Sequence, residues 1–272
     1  MNNIIHNNKL YIAPTIDIKD VSNTYNLNSV NTIRNKFLLV RHGESIWNKS
    51  SKFTGWTNIP LTNYGRQEAS IMAHHLLFYK LIPNIIFTSV LDRSIDTSDI
   101  IKHELENNNY KNVLIHTSWR LNEKHYGNLE GVMRNDFRKI YGDKFTNIVR
   151  TDYSIKPPIV TDLICNNEYP IYKNCYMNSI KNGESKEDVL NRLLPYYEND
   201  ILYTLSENKF PLIVTHKHCA RVLMKHLLQI NETDFLQYKL PEKTILLICL
   251  DNELKYKTHF EIPFTSNSLL EK

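Results

Sequence analysis

Two segments each place a histidine just after an apolar run: Leu39-Val40-Arg41-His42-Gly43 and Ile213-Val214-Thr215-His216. A neutral imidazole is a competent nucleophile at phosphorus. Arg41 and Arg93 carry planar, permanently charged forks that match phosphate oxygens. Gly43 lacks a Cβ and would let backbone approach an anion closely. Any one of these residues alone reads more simply as a packed or surface polar group, because histidine is of intermediate burial. Together they point to phosphoryl transfer. That chemistry needs in-line placement, positive charge around the equatorial oxygens and a carboxyl that can carry a proton near neutral pH.

For residues so far apart in sequence to meet, they must sit beyond the carboxyl ends of strands in one open sheet. Phe37-Leu38-Leu39-Val40 is a continuous apolar run, as expected of a strand covered on both faces. Ile85-Ile86-Phe87, Val113-Leu114-Ile115, Leu212-Ile213-Val214 and residues 245–250 read as further strands, the last of them closing the series. Between them, Thr62 can cap a helix in which Ala69, Met72, Ala73, Leu76 and Leu77 recur at helical spacing. Other helices run through Ile95, Ile100, Ile101 and Leu105, and through Val222, Leu223, His226 and Leu227. A short helix is expected over residues 131–141, and another through Leu190, Leu193, Leu194, Tyr197 and Ile201, kinked at Pro195. Residues 147–182 show no period and read as a long loop. The alternation predicts an α/β fold, a three-layer α/β/α domain around a mostly parallel sheet. Residues 1–34 are Asn-rich and read as a mobile extension; residues 35–272 form the catalytic domain.

Composition narrows the function classes. The net charge is +4 and hydrophobic residues make up 42% of 272 residues. A small anionic substrate fits that balance; nucleic-acid binding does not, because the charge is modest and scattered. No apolar run approaches the roughly 20 residues of a membrane span. Four cysteines without C-x-x-C spacing, and no secretory leader pattern, point to a reducing cytoplasmic compartment. His216, His218 and Cys219 could suggest a metal site, but no fourth ligand can be identified, and we expect no metal.

The sequence also carries a resemblance. Leu39-Val40-Arg41-His42-Gly43-Glu44-Ser45, Trp47-Asn48, Phe53-Thr54-Gly55-Trp56, Leu61-Thr62, Gly65 and Glu68-Ala69 look like the opening of a cofactor-dependent phosphoglycerate mutase of the histidine phosphatase superfamily. Thr88-Ser89-Val90-Leu91-Asp92-Arg93, the run from Trp119 through Glu123 and Tyr126 to Gly131, Arg192-Leu193-Leu194-Pro195-Tyr196 and Lys225-His226-Leu227 follow in order. The resemblance covers residues 37–251. It implies that His42 is the phosphorylated nucleophile, that Arg41, Arg93 and His216 hold the transferring group, and that Glu123 handles the proton. It places Asn48, Thr54, Gly55, Arg120, Tyr126 and Arg150 on phosphate or substrate. It further implies priming by 2,3-bisphosphoglycerate, a small phosphorylated substrate, and a homodimer or homotetramer by family analogy.

The departures fall on the site. Lys217-His218-Cys219 stand where the family has Gly-Asn-Ser, Arg134 where it has lysine, and Val149-Arg150 where it has paired arginines. Lys217 could clamp phosphate or obstruct it, and His218 joins the candidate contacts. The Val149 position reads as a missing anion clamp; one charged contact is worth about 1.5–3 kcal/mol. Two rivals therefore stand beside mutase activity: a phosphatase of the same fold, which the missing arginine favours and the long insertion at 151–182 opposes, and a catalytically weakened binding module.

Overall fold

The computed structural model describes residues 33–159 and 183–264, together with the backbone of Thr15–Asp17. Its strands are β1 (Thr15–Asp17), β2 (Lys36–Arg41), β3 (Ile85–Thr88), β4 (Leu114–Thr117), β5 (Pro211–Thr215), β6 (Thr244–Leu250) and β7 (Tyr256–Pro263). Burial along β2 explains the layering. Phe37 and Leu39 enter one apolar cluster, while Leu38 and Val40 enter another on the opposite face. A strand apolar on both faces must be covered on both faces. Helices α1 (Ile46–Lys49), α2 (Asn63–Phe78) and α3 (Asp92–Asn107) follow β2 and β3. Met72, Ala73 and Leu76 of α2, with Ile101 and Leu105 of α3, cover the Leu38 face. After α4 (Arg134–Thr151) come α5 (Lys186–Tyr196), α6 (Leu202–Ser206), α7 (Lys217–Leu227) and α8 (Glu232–Gln237). Val189 and Leu193 of α5, with Val222 and Leu223 of α7, cover the Phe37 face. The three-layer α/β/α expectation is met.

The sheet order is β1-β7-β6-β2-β5-β3-β4. Strands β2, β5, β3 and β4 are parallel neighbours, so their carboxyl ends share one edge of the molecule. Strand β6 runs antiparallel to β2, and β7 antiparallel to β6. The expectation that residues 245–250 close the series is thus corrected. Strand β7 hides from an apolar-run search because Lys257, Thr258 and Glu261 interrupt it, leaving Phe260 and Ile262 as its buried apolar residues. A tight turn feeds it: Asp251 Oδ1 accepts the backbone N–H groups of Glu253 and Lys255 at 2.9 Å each.

Thr62 caps α2 as expected, its hydroxyl accepting the Gly65 N–H at 2.9 Å. The helix expected over 131–141 is longer: α4 breaks at Gly142, with φ of 79°, and resumes to Thr151, so the loop read from residue 147 starts later. Gly142 supplies the conformation that lets two helical pieces meet at an angle. The kink expected at Pro195 is a π turn, Tyr197–Ile201, directly after α5. The rest of the 151–182 insertion beyond residue 159 lies outside the described residues, as does most of the N-terminal extension, within which β1 pairs parallel with β7. No helix among the described residues is long and apolar enough to cross a membrane.

Candidate active site

The β2–β5 ladder does the first assembly step. Arg41 pairs with Thr215 in register, and the His42 N–H donates to the Thr215 carbonyl at 2.9 Å. The next residue on each strand is a histidine, so the two rings meet with centroids 4.7 Å apart. His42 Nδ1 lies 2.6 Å from the Gly43 carbonyl. A carbonyl only accepts, so Nδ1 carries the proton and Nε2 keeps its lone pair. Burial, reinforced by the Arg93 and Arg41 charges, pushes the His42 pKa well below the ordinary imidazole range. His42 is therefore a neutral imidazole with Nε2 available as nucleophile.

Arg93 is fully buried at the start of α3. It donates through its two terminal nitrogens to the carbonyls of Thr57 (2.9 Å) and Gly55 (2.7 Å). The Nε groups of Arg93 and Arg41 are buried with no partner among the described residues. Such orphaned donors are rare and costly, and here they suit the oxygens of a bound phosphoryl group. Burial lowers the Arg93 pKa to about 10, which leaves it charged at neutral pH.

Glu123 reaches the same cavity from the loop after β4. Its Oε1 accepts the backbone N–H groups of Lys124 (2.8 Å) and His218 (3.1 Å). Those bonds and the two arginines favour the carboxylate, yet burial outweighs them and raises its pKa. A carboxyl held between these opposing influences can both give and take a proton.

The cavity measures about 350 Å³ and is lined by Arg41, His42, Arg93 and Glu123. It also takes in Asn48, Thr54, Gly55, Tyr126, Arg134, Arg150, Lys217 and His218. Two expected residues do not line it. His216 is fully buried behind the His42 ring, and Arg120 instead lies over the Trp119 ring at 5.1 Å. Three further readings change, whereas His218 lines the cavity as expected. Gly43 is needed for packing rather than for anion approach: a Cβ there would stand 2.2 Å from the Gly65 carbonyl. Val149 is wholly buried with Phe53, Tyr126 and Phe137, so its side chain faces a core and not the cavity. The Lys217 ammonium is paired with Glu242 at 2.8 Å on the rim, and so is not a free clamp. His218 turns Nε2 to the Tyr126 hydroxyl at 2.8 Å. No group of three His, Cys, Asp or Glu side chains among the described residues could hold a metal ion.

Several residues that the spacing did not disclose hold this wall together. Glu130 accepts four bonds: Trp56 N–H (2.9 Å) and Tyr126 N–H (3.1 Å) at one oxygen, Thr57 N–H (2.9 Å) and hydroxyl (2.7 Å) at the other. Gly55, with φ of 53°, passes so close that a Cβ would collide with Glu130. Arg192 pairs with Glu184 at 2.7 Å and donates to the carbonyls of Arg120, Asn122 and Glu123 at 2.6–3.0 Å. It thereby fixes the segment that carries the acid.

Comparison with known proteins agrees with this geometry. The sequence profile of the histidine phosphatase superfamily (branch 1) matches residues 37–164 and 165–260. A 2,3-bisphosphoglycerate-dependent phosphoglycerate mutase of Buchnera aphidicola is 38% identical over 207 residues, covering 75% of this chain and 88% of the relative. The enzyme of that name from Haemophilus influenzae is 34% identical over 83% of this chain and 99% of its own. Among solved structures, a mycobacterial glucosyl-3-phosphoglycerate phosphatase superposes with a TM-score of 0.63 at 18% identity, covering 85% of this chain and 98% of its own. Bacillus stearothermophilus YhfR gives 0.60 at 22% identity over 82% and 94%. At those identities the structures establish the fold alone. The profile spans every residue of the site, and the mutase-named relatives extend over most of both chains: the protein belongs to branch 1 of the histidine phosphatase superfamily.

Proposed function

We propose that the protein is a phosphoglycerate mutase, interconverting 3-phosphoglycerate and 2-phosphoglycerate through a phosphohistidine at His42. One observation carries the choice of mutase over simple hydrolase. Arg134 and Arg150 line the same cavity as the Arg41–Arg93 pair and lie close enough to depress the Arg134 pKa, after burial itself. A substrate with one phosphoryl group and a second anionic end matches two cationic sets.

The chemistry follows from protonation states already described. His42 Nε2 attacks phosphorus in line; the P–N bond forms as the P–O bond to the leaving oxygen breaks. Glu123, in its acid form, protonates that oxygen. In the return step the Glu123 carboxylate removes the proton of the accepting hydroxyl, which attacks phosphorus and regenerates neutral His42. Arg41 and Arg93 balance charge on the equatorial oxygens throughout. The orphaned Nε groups and the free His42 Nε2 fit a phosphate ester, and 2,3-bisphosphoglycerate would supply the priming phosphoryl group when bound. Arg134 and Arg150 would retain the distal anion while the intermediate reorients. On this reading the enzyme acts in the cytoplasm as a homodimer or homotetramer, which light scattering on the purified protein tests.

A phosphatase of the same fold is the second reading. It is favoured by the Lys217–Glu242 pair, which takes a rim cation away from the substrate's second anionic end. The discriminating experiment is the product distribution from 3-phosphoglycerate with and without 2,3-bisphosphoglycerate. Rapid formation of 2-phosphoglycerate that depends on the bisphosphate supports the mutase; free phosphate as the dominant product supports the phosphatase.

A further inference from the structure

His216 does not line the cavity, but its ring packs against the His42 ring with centroids 4.7 Å apart, and no carboxylate among the described residues bonds to it. Its Nε2 is 2.8 Å from the Ser89 hydroxyl, and its Nδ1 is buried with no partner among the described residues. Ser89 is fully buried one residue beyond β3, where Thr88 is in register with Val214. The sheet that brings His42 to His216 therefore brings Ser89 to the far side of the same ring.

The Ser89 oxygen already accepts the Leu91 N–H at 3.2 Å. Its one proton can go to His216 Nε2. If Nε2 carried the proton instead, the serine O–H would lose that acceptor inside a dry interior, and Nδ1 would be left as a bare lone pair. The first arrangement leaves fewer buried groups unsatisfied. It also has the sign the site requires. Burial, reinforced by the Arg93 and Arg41 charges, holds the ring's pKa well below the ordinary range. A neutral imidazole beside an anionic phosphoryl group must present N–H, not a lone pair. Resting on phosphoryl transfer at His42, we infer that Ser89 is a positioning residue: it fixes His216 as the Nδ1–H tautomer, leaving that N–H to donate to the oxygens of the transferring group.

The test uses the full chain labelled with ¹⁵N-histidine and three proteins: the parent, Ser89→Ala and Ser94→Ala. Ser94 is an equally buried serine whose hydroxyl bonds to the Val214 carbonyl at 3.0 Å and to Thr88, so it controls for a lost buried hydroxyl. Nitrogen shifts, assigned with His216→Gln, should show Nδ1–H at His216 in the parent and in Ser94→Ala. Ser89→Ala should populate the other tautomer. Its phosphoenzyme formation from 2,3-bisphosphoglycerate should slow roughly ten- to a hundredfold, by analogy with the loss seen when the orienting partner of a metal-bound histidine is removed. An Nε2–H tautomer in the parent overturns the inference. So does a Ser89→Ala protein that keeps both the parent tautomer and the parent rate. A parent that takes up no phosphate sinks the functional reading instead, and the tautomer measurement then judges Ser89 by itself.

Discussion

Replacing Arg192 by methionine should damage both stability and catalysis, although Arg192 does not line the cavity. Its guanidinium and the Glu184 carboxylate are nearly buried, with 7% and 4% of their side chains exposed. Breaking a buried pair by removing one partner costs about 3–5 kcal/mol, because the other charge is left uncompensated. Three carbonyls, those of Arg120, Asn122 and Glu123, lose their donor in the same change. These losses share one side chain and do not add, so we take about 4 kcal/mol as the expectation. With a urea dependence of about 3 kcal/mol per molar for a chain of this size, the unfolding midpoint should fall by roughly 1.3 M. Domains of this kind hold about 5–15 kcal/mol in reserve, so the variant should still fold in buffer. In the folded fraction, kcat should fall by more than tenfold while phosphate affinity changes little, because the Glu123 backbone is released but Arg41 and Arg93 are not. Urea titration and single-turnover kinetics on the same preparation check both parts. A midpoint shift under about 0.3 M with unchanged kcat would refute the argument that Arg192 holds the acid-bearing segment.

Three other outcomes follow from the same geometry. Val149→Arg would force a guanidinium into the Phe53–Tyr126–Phe137 cluster; we expect a loss of about 3 kcal/mol or more in thermal unfolding and no gain in mutase-to-phosphatase ratio, and a gain would restore Val149 as a missing clamp. Glu242→Gln should free the Lys217 ammonium on the cavity rim and tighten bisphosphate binding a few-fold at low salt, an effect that 0.5 M salt should erase; titration calorimetry at both ionic strengths decides it. Stability should fall as pH drops below the ordinary imidazole value of 6.5, because His42, His216 and His218 are buried with lowered pKa values and the unfolded chain then binds more protons. The slope can approach about 1.4 kcal/mol per pH unit for each histidine, and a flat denaturation profile from pH 6.5 to 5 would contradict it.

The residues that ended apolar runs were legible from sequence. Arg41, His42 and His216 each follow a strand core, and parallel pairing in register then forces them together. Thr62 was legible as a cap because capping is local. What stayed hidden acts across long separations: Ser89 on His216 over 127 positions, Glu130 on Trp56 over 74, Arg192 on Arg120 over 72. No periodicity encodes such pairs. The misreadings share one physical cause, which is side-chain direction. Val149, Lys217 and Arg120 sit at the right places along the chain, yet the helix faces and rim partners turn them to a core, to Glu242 and to Trp119. Gly43 was correctly singled out for lacking a Cβ, but the atom it makes room for is the Gly65 carbonyl.

We expect the His42 imidazole to carry the phosphoryl group between donor and acceptor. Incubating the protein with ³²P-labelled 2,3-bisphosphoglycerate, then chasing with unlabelled 3-phosphoglycerate, tests it most directly. Transfer through His42 requires a stoichiometric acid-labile, base-stable label on His42 that leaves with the chase and appears in a phosphorylated product. His42→Ala should take up none while keeping the parent fold by circular dichroism. A label that persists in His42→Ala, or one on the parent that the chase cannot remove, would contradict the claim.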